Sequence, residues 1–397
     1  MNTQTLSSEF YDWEAKVLNL DSRDKIIEEC TSELDVSESL EKVRIYTIRG
    51  KAFLESGKTN EAIHDFTQAI GLTSFFPLGY YNRGNAYAEN GESEKALSDF
   101  TKAIEDYPRV DKNIPHLINA YKNRGNLYMK LSIYEKALKD FEEVLKLDPN
   151  DSEVWYAKGL IYTFLDKYSE AIESIDKAIA IKPNYASAFW SKGVSLRARE
   201  KYQEAIEAYK KAIELEPNNT DYWLSKGETL AQMGKYEEAL YAMNKTIELD
   251  PKNANAYYTK GMILAGYVES NILDDEEALK ALNQATQLRP DIAKTWMYKS
   301  GLLVKLGYER KALKSINKVI NLEPDNGQAW YMKACVYLLL DNTKESLGNL
   351  RKAIELDGSF KDNAKNDQVF RILWHSRDFI TITGKIEVKE KEIREAI

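Results

Sequence analysis

One spacing constrains this chain more than any other feature. Pro149, Pro183, Pro217 and Pro251 stand 34 residues apart, and Pro290 and Pro324 repeat the step. Gly159, Gly193, Gly227 and Gly261 keep the same interval. A fixed period of this length describes a stack of small units, each touching only its neighbours. The clearest copy is 152–185, SEVWYAKGLIYTFLDKYSEAIESIDKAIAIKPNY. Trp155, Gly159 and Tyr162 fall at unit positions 4, 8 and 11, and Ala171, Ile175 and Ala178 at 20, 24 and 27. Steps of three and four place each set on one stripe of a helix. Each unit is therefore predicted to be two antiparallel helices facing each other. The glycine and alanines let the backbones approach, and the aromatics fill the space between. Pro183, at position 32, lacks an amide proton and suits the boundary before the next helix.

The pattern W-x3-G-x2-Y, then A-x3-[FYI]-x2-A, then P resembles the tetratricopeptide repeat (TPR) family over residues 43 to about 360. The resemblance implies an all-α, right-handed superhelical solenoid of about nine helix-turn-helix units, with capping helices at both ends. The units are expected at 43–76, 77–110, 118–151, 152–185, 186–219, 220–253, 254–292, 293–326 and 327–360. Two insertions interrupt the period. Seven extra residues near 109–116 contain Pro115 and read as a loop. Five more lie within 267–276, where Asp274 and Asp275 can cap the following helix. Gly57, Gly91, Gly234 and Gly307 fall at position 15, the turn between the helices. Ser300 stands where position 8 is usually glycine.

Residues 1–42 read as two capping helices, 8–20 with Phe10, Trp13, Val17 and Leu20 on one face, and a second through Leu34, capped by Asp21 or Ser22, with Ile26, Ile27 and Cys30 inward. After the repeats, 361–397 reads as a closing amphipathic helix over 364–379, carrying Phe370, Leu373, Trp374 and Phe379. A short alternating segment (Ile382, Ile386, Val388) and a charged tail follow.

Net charge is −8, which argues against nucleic acid as the main partner, since phosphate binders carry basic stripes. Two cysteines, Cys30 and Cys335, form no paired framework and suit a reducing compartment. No signal peptide is visible, and the longest apolar run, 334–340, is far too short to span a bilayer. The expected location is the cytoplasm, without a membrane partner. His64, His116 and His375 fall in separate segments with no metal-type spacing, and no phosphate-loop or nucleophile-elbow motif occurs. Neither an enzyme nor a cofactor or metal is expected.

The positions that the repeat leaves variable carry the functional signal. In the TPR family, positions 2, 5, 9, 12 and 13 of each first helix line a concave peptide groove. Positions 2, 5, 9 and 12 form a second stripe about 100° round the helix from 4, 8 and 11. Along this stripe and the adjacent position 6, repeats one to three offer Lys51, Asn82, Asn85, Lys122, Asn123 and Asn126. Paired amides there could hold an extended peptide by its backbone groups. From repeat four, position 5 reads Tyr156, Trp190, Leu224, Tyr258, Met297 and Tyr331, the composition of a buried interface centre. Any one of these aromatics could instead pack sideways against the neighbouring repeat.

Some TPR co-chaperones clamp a chaperone's C-terminal carboxylate with Lys and Asn at positions 5 and 9, Asn at 6 of the next repeat, then Lys and Arg at 2 and 6. Lys122 and Asn126 match the first pair, but Ala157, Ser187 and Ser191 occupy the rest. The register one repeat earlier also loses the final basic pair, so a carboxylate clamp is not expected. The expected role is a protein–protein interaction scaffold or adaptor that binds extended or helical segments. The alternatives are a regulatory or assembly subunit of an enzyme complex and, disfavoured by the acidic balance, an RNA-binding helical repeat.

Overall fold

The computed structural model describes residues 8–384, apart from 36, 74, 111–113, 267 and 269–272. Among the described residues every regular element is helical. The chain divides into two compact units, 1–198 and 199–397. The division falls in the turn between the two helices of repeat five.

In the first unit, α1 (Ser8–Leu18) and α2 (Arg23–Glu33) precede the helix pairs. Repeat one is α3 (Ser39–Glu55) with α4 (Thr59–Gly71), and repeat two is α5 (Pro77–Glu89) with α6 (Ser93–Val110). Repeat three is α7 (Ile114–Lys130) with α8 (Tyr134–Leu147), and repeat four is α9 (Ser152–Phe164) with α10 (Tyr168–Ile181). α11 (Ala186–Ala198) opens repeat five. The second unit begins with α12 (Tyr202–Leu215) and continues with the pairs α13 (Thr220–Gln232) and α14 (Tyr236–Leu249), and α15 (Ala254–Leu264) and α16 (Asp275–Leu288). Repeat eight is α17 (Ala293–Lys305) with α18 (Glu309–Leu322), and repeat nine is α19 (Gly327–Leu339) with α20 (Thr343–Leu356). Each unit is a solenoid whose core is distributed in small clusters between adjacent helices. One joins Ala137, Phe141 and Val144 to Val154 and Ile161, and another joins Ile206, Leu230, Ala239 and Ile263.

The recurring residues have recurring jobs. Position 8 must be small because position 24 of the partner helix presses on it. A Cβ on Gly159 would stand 2.4 Å from Ile175 Cγ1, and one on Gly227 2.2 Å from Met243 Cε. Ser300 and Ala334 carry a Cβ at this position, and the Ser300 hydroxyl turns back to donate to the Met297 carbonyl at 2.7 Å. The proline carbonyl does what the sequence reading missed. The indole Nε1 of Trp155 donates to the Pro149 carbonyl at 2.9 Å, and Trp223, Trp296 and Trp330 repeat this bond to Pro217, Pro290 and Pro324. Two residues after Pro149, Pro217, Pro251 and Pro324, the side chains of Asp151, Asn219, Asn253 and Asn326 cap the next helix, whereas Ile292 follows Pro290 without a side-chain cap. A side-chain cap of this kind is worth about 1 kcal/mol.

Several sequence expectations are corrected. The insertion near 109–116 is not mainly a loop. α6 runs on to Val110 and α7 starts at Ile114, leaving only 111–113 between them. Pro115 sits in the first turn of α7, where a missing amide proton costs nothing. Asp274 caps α16, accepting from the Glu277 amide at 2.9 Å, while 267 and 269–272 of that insertion lie outside the described residues. α3 begins at Ser39, ahead of the expected first unit, and Ser22 precedes α2 without a side-chain capping bond.

The closing helix expected over 364–379 is instead three short pieces: α21 (Phe360–Asn366), a 3₁₀ helix (Gln368–Leu373) and α22 (Arg377–Thr383). Asp367 and Ser376 break it because their side chains cap the segments that follow, accepting from Val369 and Phe379 amides. Phe360, Phe370 and Phe379 still pack against Tyr331, Ala334 and Leu350, so the repeat-nine face is covered. At the other end Phe10, Val17 and Cys30 bury against Ile45. Ile386 and Val388 lie outside the described residues.

Candidate functional site

In the first unit the variable stripe of α3, α5 and α7 converges on one cavity of about 440 Å3. Asn85, Glu89, Asn123, Asn126 and Lys130 supply its polar wall. Leu54, Leu127 and Phe100 supply an apolar floor. Asn85 and Asn126 stand at position 9 of consecutive repeats, so their amides project along one row, one repeat apart. Asn123 is held in place: its Nδ2 donates to Asn85 Oδ1 at 2.8 Å and to Tyr81 Oη at 3.2 Å. Asn126 and Lys130 are exposed, and among the described residues their side chains have no hydrogen-bond or ion-pair partner. A primary amide carries both donor and acceptor, which matches the two groups of a peptide unit. The site can therefore hold main chain without reading sequence, and it offers apolar contact to one side chain beneath.

Other stripe residues are placed differently. Asn82 is buried, 6% exposed, with its Nδ2 lacking a hydrogen-bond partner, so it lies in the interior and not on the groove. Lys51 is exposed on α3 outside the cavity. Lys122 is engaged within the chain, 2.8 Å from Asp151 Oδ2 and 3.1 Å from Glu153 Oε2 at the start of α9. Partial burial would lower its pKa, but the bonds to those carboxylates hold it above the usual lysine range. The lysine of the matched clamp pair is thus already occupied by the protein's own acids.

The aromatic run is only partly open. Tyr156 shares a hydrogen bond with Ser191 Oγ at 3.1 Å and packs 4.9 Å from the Tyr185 ring, and Trp190 is half-buried. In the second unit Tyr258 lies 5.9 Å from the Tyr298 ring, and burial holds its hydroxyl well above the usual range. A cavity of about 130 Å3 remains beside it, bounded by Asn255, Ile292 and Lys294. Met297 is half-buried and packs against the core cluster that includes Ala293 and Val336. Tyr331 corrects the expectation most clearly. It is 8% exposed, stacked 5.1 Å from Phe360, and donates to Asp367 Oδ2 at 2.8 Å, so the chain's own C-terminal segment covers it.

Burial pushes the Cys30 thiol up to about 12 and raises the Cys335 thiol as well, which keeps both protonated near neutrality. Among the described residues no three His, Cys, Asp or Glu side chains come together as a metal-ligand set. Among them, too, no helix is long and apolar enough to cross a membrane.

Family profiles described as tetratricopeptide repeat or TPR repeat match residues 50–110, 118–185, 193–265 and 327–360, more than half of the chain. No functionally curated protein matches it. Among solved structures, the C-terminal part of a TPR repeat-containing protein from Cytophaga hutchinsonii shares the fold at a TM-score of 0.53, with 19% identity over 62% of this chain and 96% of that one. A tetratricopeptide repeat protein from Parabacteroides merdae superposes at 0.48, with 22% identity over 66% and 99% of the two chains. YrrB, a TPR protein with an unusual peptide-binding site, superposes at 0.41, with 22% identity over 49% and 97%.

Proposed function

Because the chain belongs to the tetratricopeptide repeat family, whose general role is that of a protein-interaction scaffold, we propose that repeats one to three bind an extended segment of a partner protein by its main chain. The observation that carries this reading is the cavity in which Asn123 is fixed against Asn85 while Asn126, one repeat on, keeps its amide open. Asn85, whose Oδ1 is engaged by Asn123 and whose Nδ2 is left to donate, and Asn126, with both groups of its amide open, stand on one row and suit successive peptide units of a strand-like ligand. The floor of Leu54 and Leu127 adds a place for one apolar side chain. The aromatic residues further along play the smaller part, since Tyr331 and Met297 serve the core.

A peptide-display screen against the full chain tests the reading. Recovered peptides are expected to share no side-chain consensus opposite the amide row and to lose affinity when single backbone amides are N-methylated. Asn85→Ala combined with Asn126→Ala is expected to weaken them about tenfold or more, the worth of one or two lost hydrogen bonds. Peptides indifferent to that double variant and sensitive to Trp190→Ala or Tyr258→Ala would refute it.

A further inference from the structure

The repeat supplies its own control for a second cavity, on the side lined by second helices. In repeat three, a cavity of about 500 Å3 is bordered by three basic residues, Arg124, Lys136 and Lys139, and three acidic ones, Asp140, Glu142 and Glu143. Its guanidinium is paired internally, with Arg124 Nη2 2.7 Å and Nε 2.8 Å from the two Asp140 oxygens. Arg49–Asp65 and Arg83–Asp99 repeat this pair in repeats one and two.

The corresponding cavity of repeat eight, about 320 Å3 between α16, α17 and α18, keeps the basic residues and loses the acidic ones. At the position of Arg124 stands Lys299, at that of Asp140 Ser315, and at that of Glu143 Lys318. Lys311 and Lys314, at the positions of Lys136 and Lys139, complete the rim, and no carboxylate lines it to balance them. Lys299 is half-buried, 4.5 Å from the Trp296 ring centroid, and donates to Thr286 Oγ1 at 3.1 Å. Burial lowers its pKa with no acid to offset it. Lys311, Lys314 and Lys318 are exposed one turn apart on α18. Among the described residues none of the four lysines is in an ion pair. Like charges at this spacing repel and weaken the helix that carries them. In a chain whose 63 acidic residues outnumber its 55 basic ones, four unpaired lysines round a recess are not compositional background. Beneath them Leu279, Leu303 and the Trp296 ring form an apolar floor.

We propose that this cavity is a second docking site, which takes an acidic segment of a partner protein, with carboxylates on the lysines and an apolar side chain on the floor. The lysines supply charge complementarity, and the apolar floor selects a peptide over a bare ion. The site shares no residue with the amide-lined groove and stands independently of the function proposed above.

The test uses the full chain and a fluorescein-labelled octapeptide of alternating Glu and Leu, followed by anisotropy. Binding is expected for this peptide and not for its Gln–Leu counterpart, and it weakens as potassium chloride is raised. Lys314→Glu with Lys318→Glu, both at exposed positions, is expected to weaken it about tenfold or more. Ser315→Asp, which installs the internal partner of repeats one to three beside Lys299, is expected to do the same. Should that buried change disturb folding, the double lysine variant alone decides. Asn85→Ala with Asn126→Ala is expected to leave this binding unchanged, which separates the two sites. Wild-type affinity in the double lysine variant would overturn the proposal. So would displacement by inorganic phosphate that potassium chloride of matched ionic strength does not produce, since the occupant would then be a small oxyanion.

Discussion

At the scale of single residues, the turn between paired helices shows how the repeat tolerates an imperfect residue. Position 15 has φ near +60° or above in eight of the nine repeats, with glycine in Gly57, Gly91, Gly234 and Gly307, but with Ser132, Asp166, Glu200 and Asp341 in the other four. A non-glycine residue in this region costs about 1–2 kcal/mol, somewhat less for Asp, whose side chain bonds locally. Ser132→Gly is therefore expected to stabilise the protein. The relief exceeds the roughly 0.4–1 kcal/mol that glycine adds to the entropy of the unfolded chain. A denaturation midpoint that moves down would contradict this. Position 8 makes the reverse case. Gly159→Ala pushes a Cβ into Ile175 Cγ1, a branched side chain near its backbone, and should cost about 1–3 kcal/mol despite a helix-propensity gain of about 1. At Gly227 the closest obstacle is the terminal methyl of Met243, which can swing away, leaving the Ala242 Cβ at 3.0 Å to give by a few tenths of an ångström, so Gly227→Ala should cost less than Gly159→Ala. Equal losses in the two variants, compared by urea titration, would show that side-chain stiffness is not what decides.

At the scale of elements, the C-terminal cap hangs on one carboxylate. Asp367 accepts from Tyr331 Oη at 2.8 Å with one oxygen and from the Val369 amide at 3.0 Å with the other, so it ties the 3₁₀ helix to α19. Tyr331→Phe keeps the ring stack on Phe360 and Phe370 and removes only that tie. With Asp367 half-exposed, the expected cost is about 1–2 kcal/mol, below the range for a fully buried charged bond. It should appear as faster amide exchange in 368–373 with little change in α19 itself. These elements also show what was legible beforehand. The helix pairs were legible because every one of them is defined by residues within its own 34, and Pro, Gly and Ala act locally. The amide row was legible for the same reason, as positions 85 and 126 inherit their direction from the repeat. What escaped the reading depends on residues far apart in the chain. Lys122 meets acids about 30 residues on, and Tyr331 is covered by residues 360–379. The break at Asp367 and Ser376 did leave a local trace, two capping residues inside an apparently continuous apolar stripe, and the stripe was read in preference to the caps. Near 109–116 the error had the opposite source, because Pro115 was read as a loop marker where it is equally at home in a first helical turn.

At the scale of the whole molecule, a solenoid differs from a globule in how far damage travels. Each repeat touches only its neighbours, so stability is close to a sum of repeat and interface contributions. Deleting residues 359–397 removes Phe360, Phe370 and Phe379, which are at most 6% exposed in the intact chain. Each buried phenylalanine is worth about 1.5–3 kcal/mol. The loss should therefore exceed what repeat nine gains from its own pairing of α19 with α20, and those helices should lose exchange protection. Tyr331, Ala334, Leu338 and Leu350 would then lie bare, an apolar face of the kind that drives self-association. The repeats of the first unit have no packing stake in that face and should keep their protection, helix by helix, from α5 to α10. Hydrogen exchange on the truncated chain reads both outcomes at once. If amides in α5–α10 lose protection together with those in α19 and α20, the chain is unfolding as one cooperative body, and the nearest-neighbour account of its stability fails.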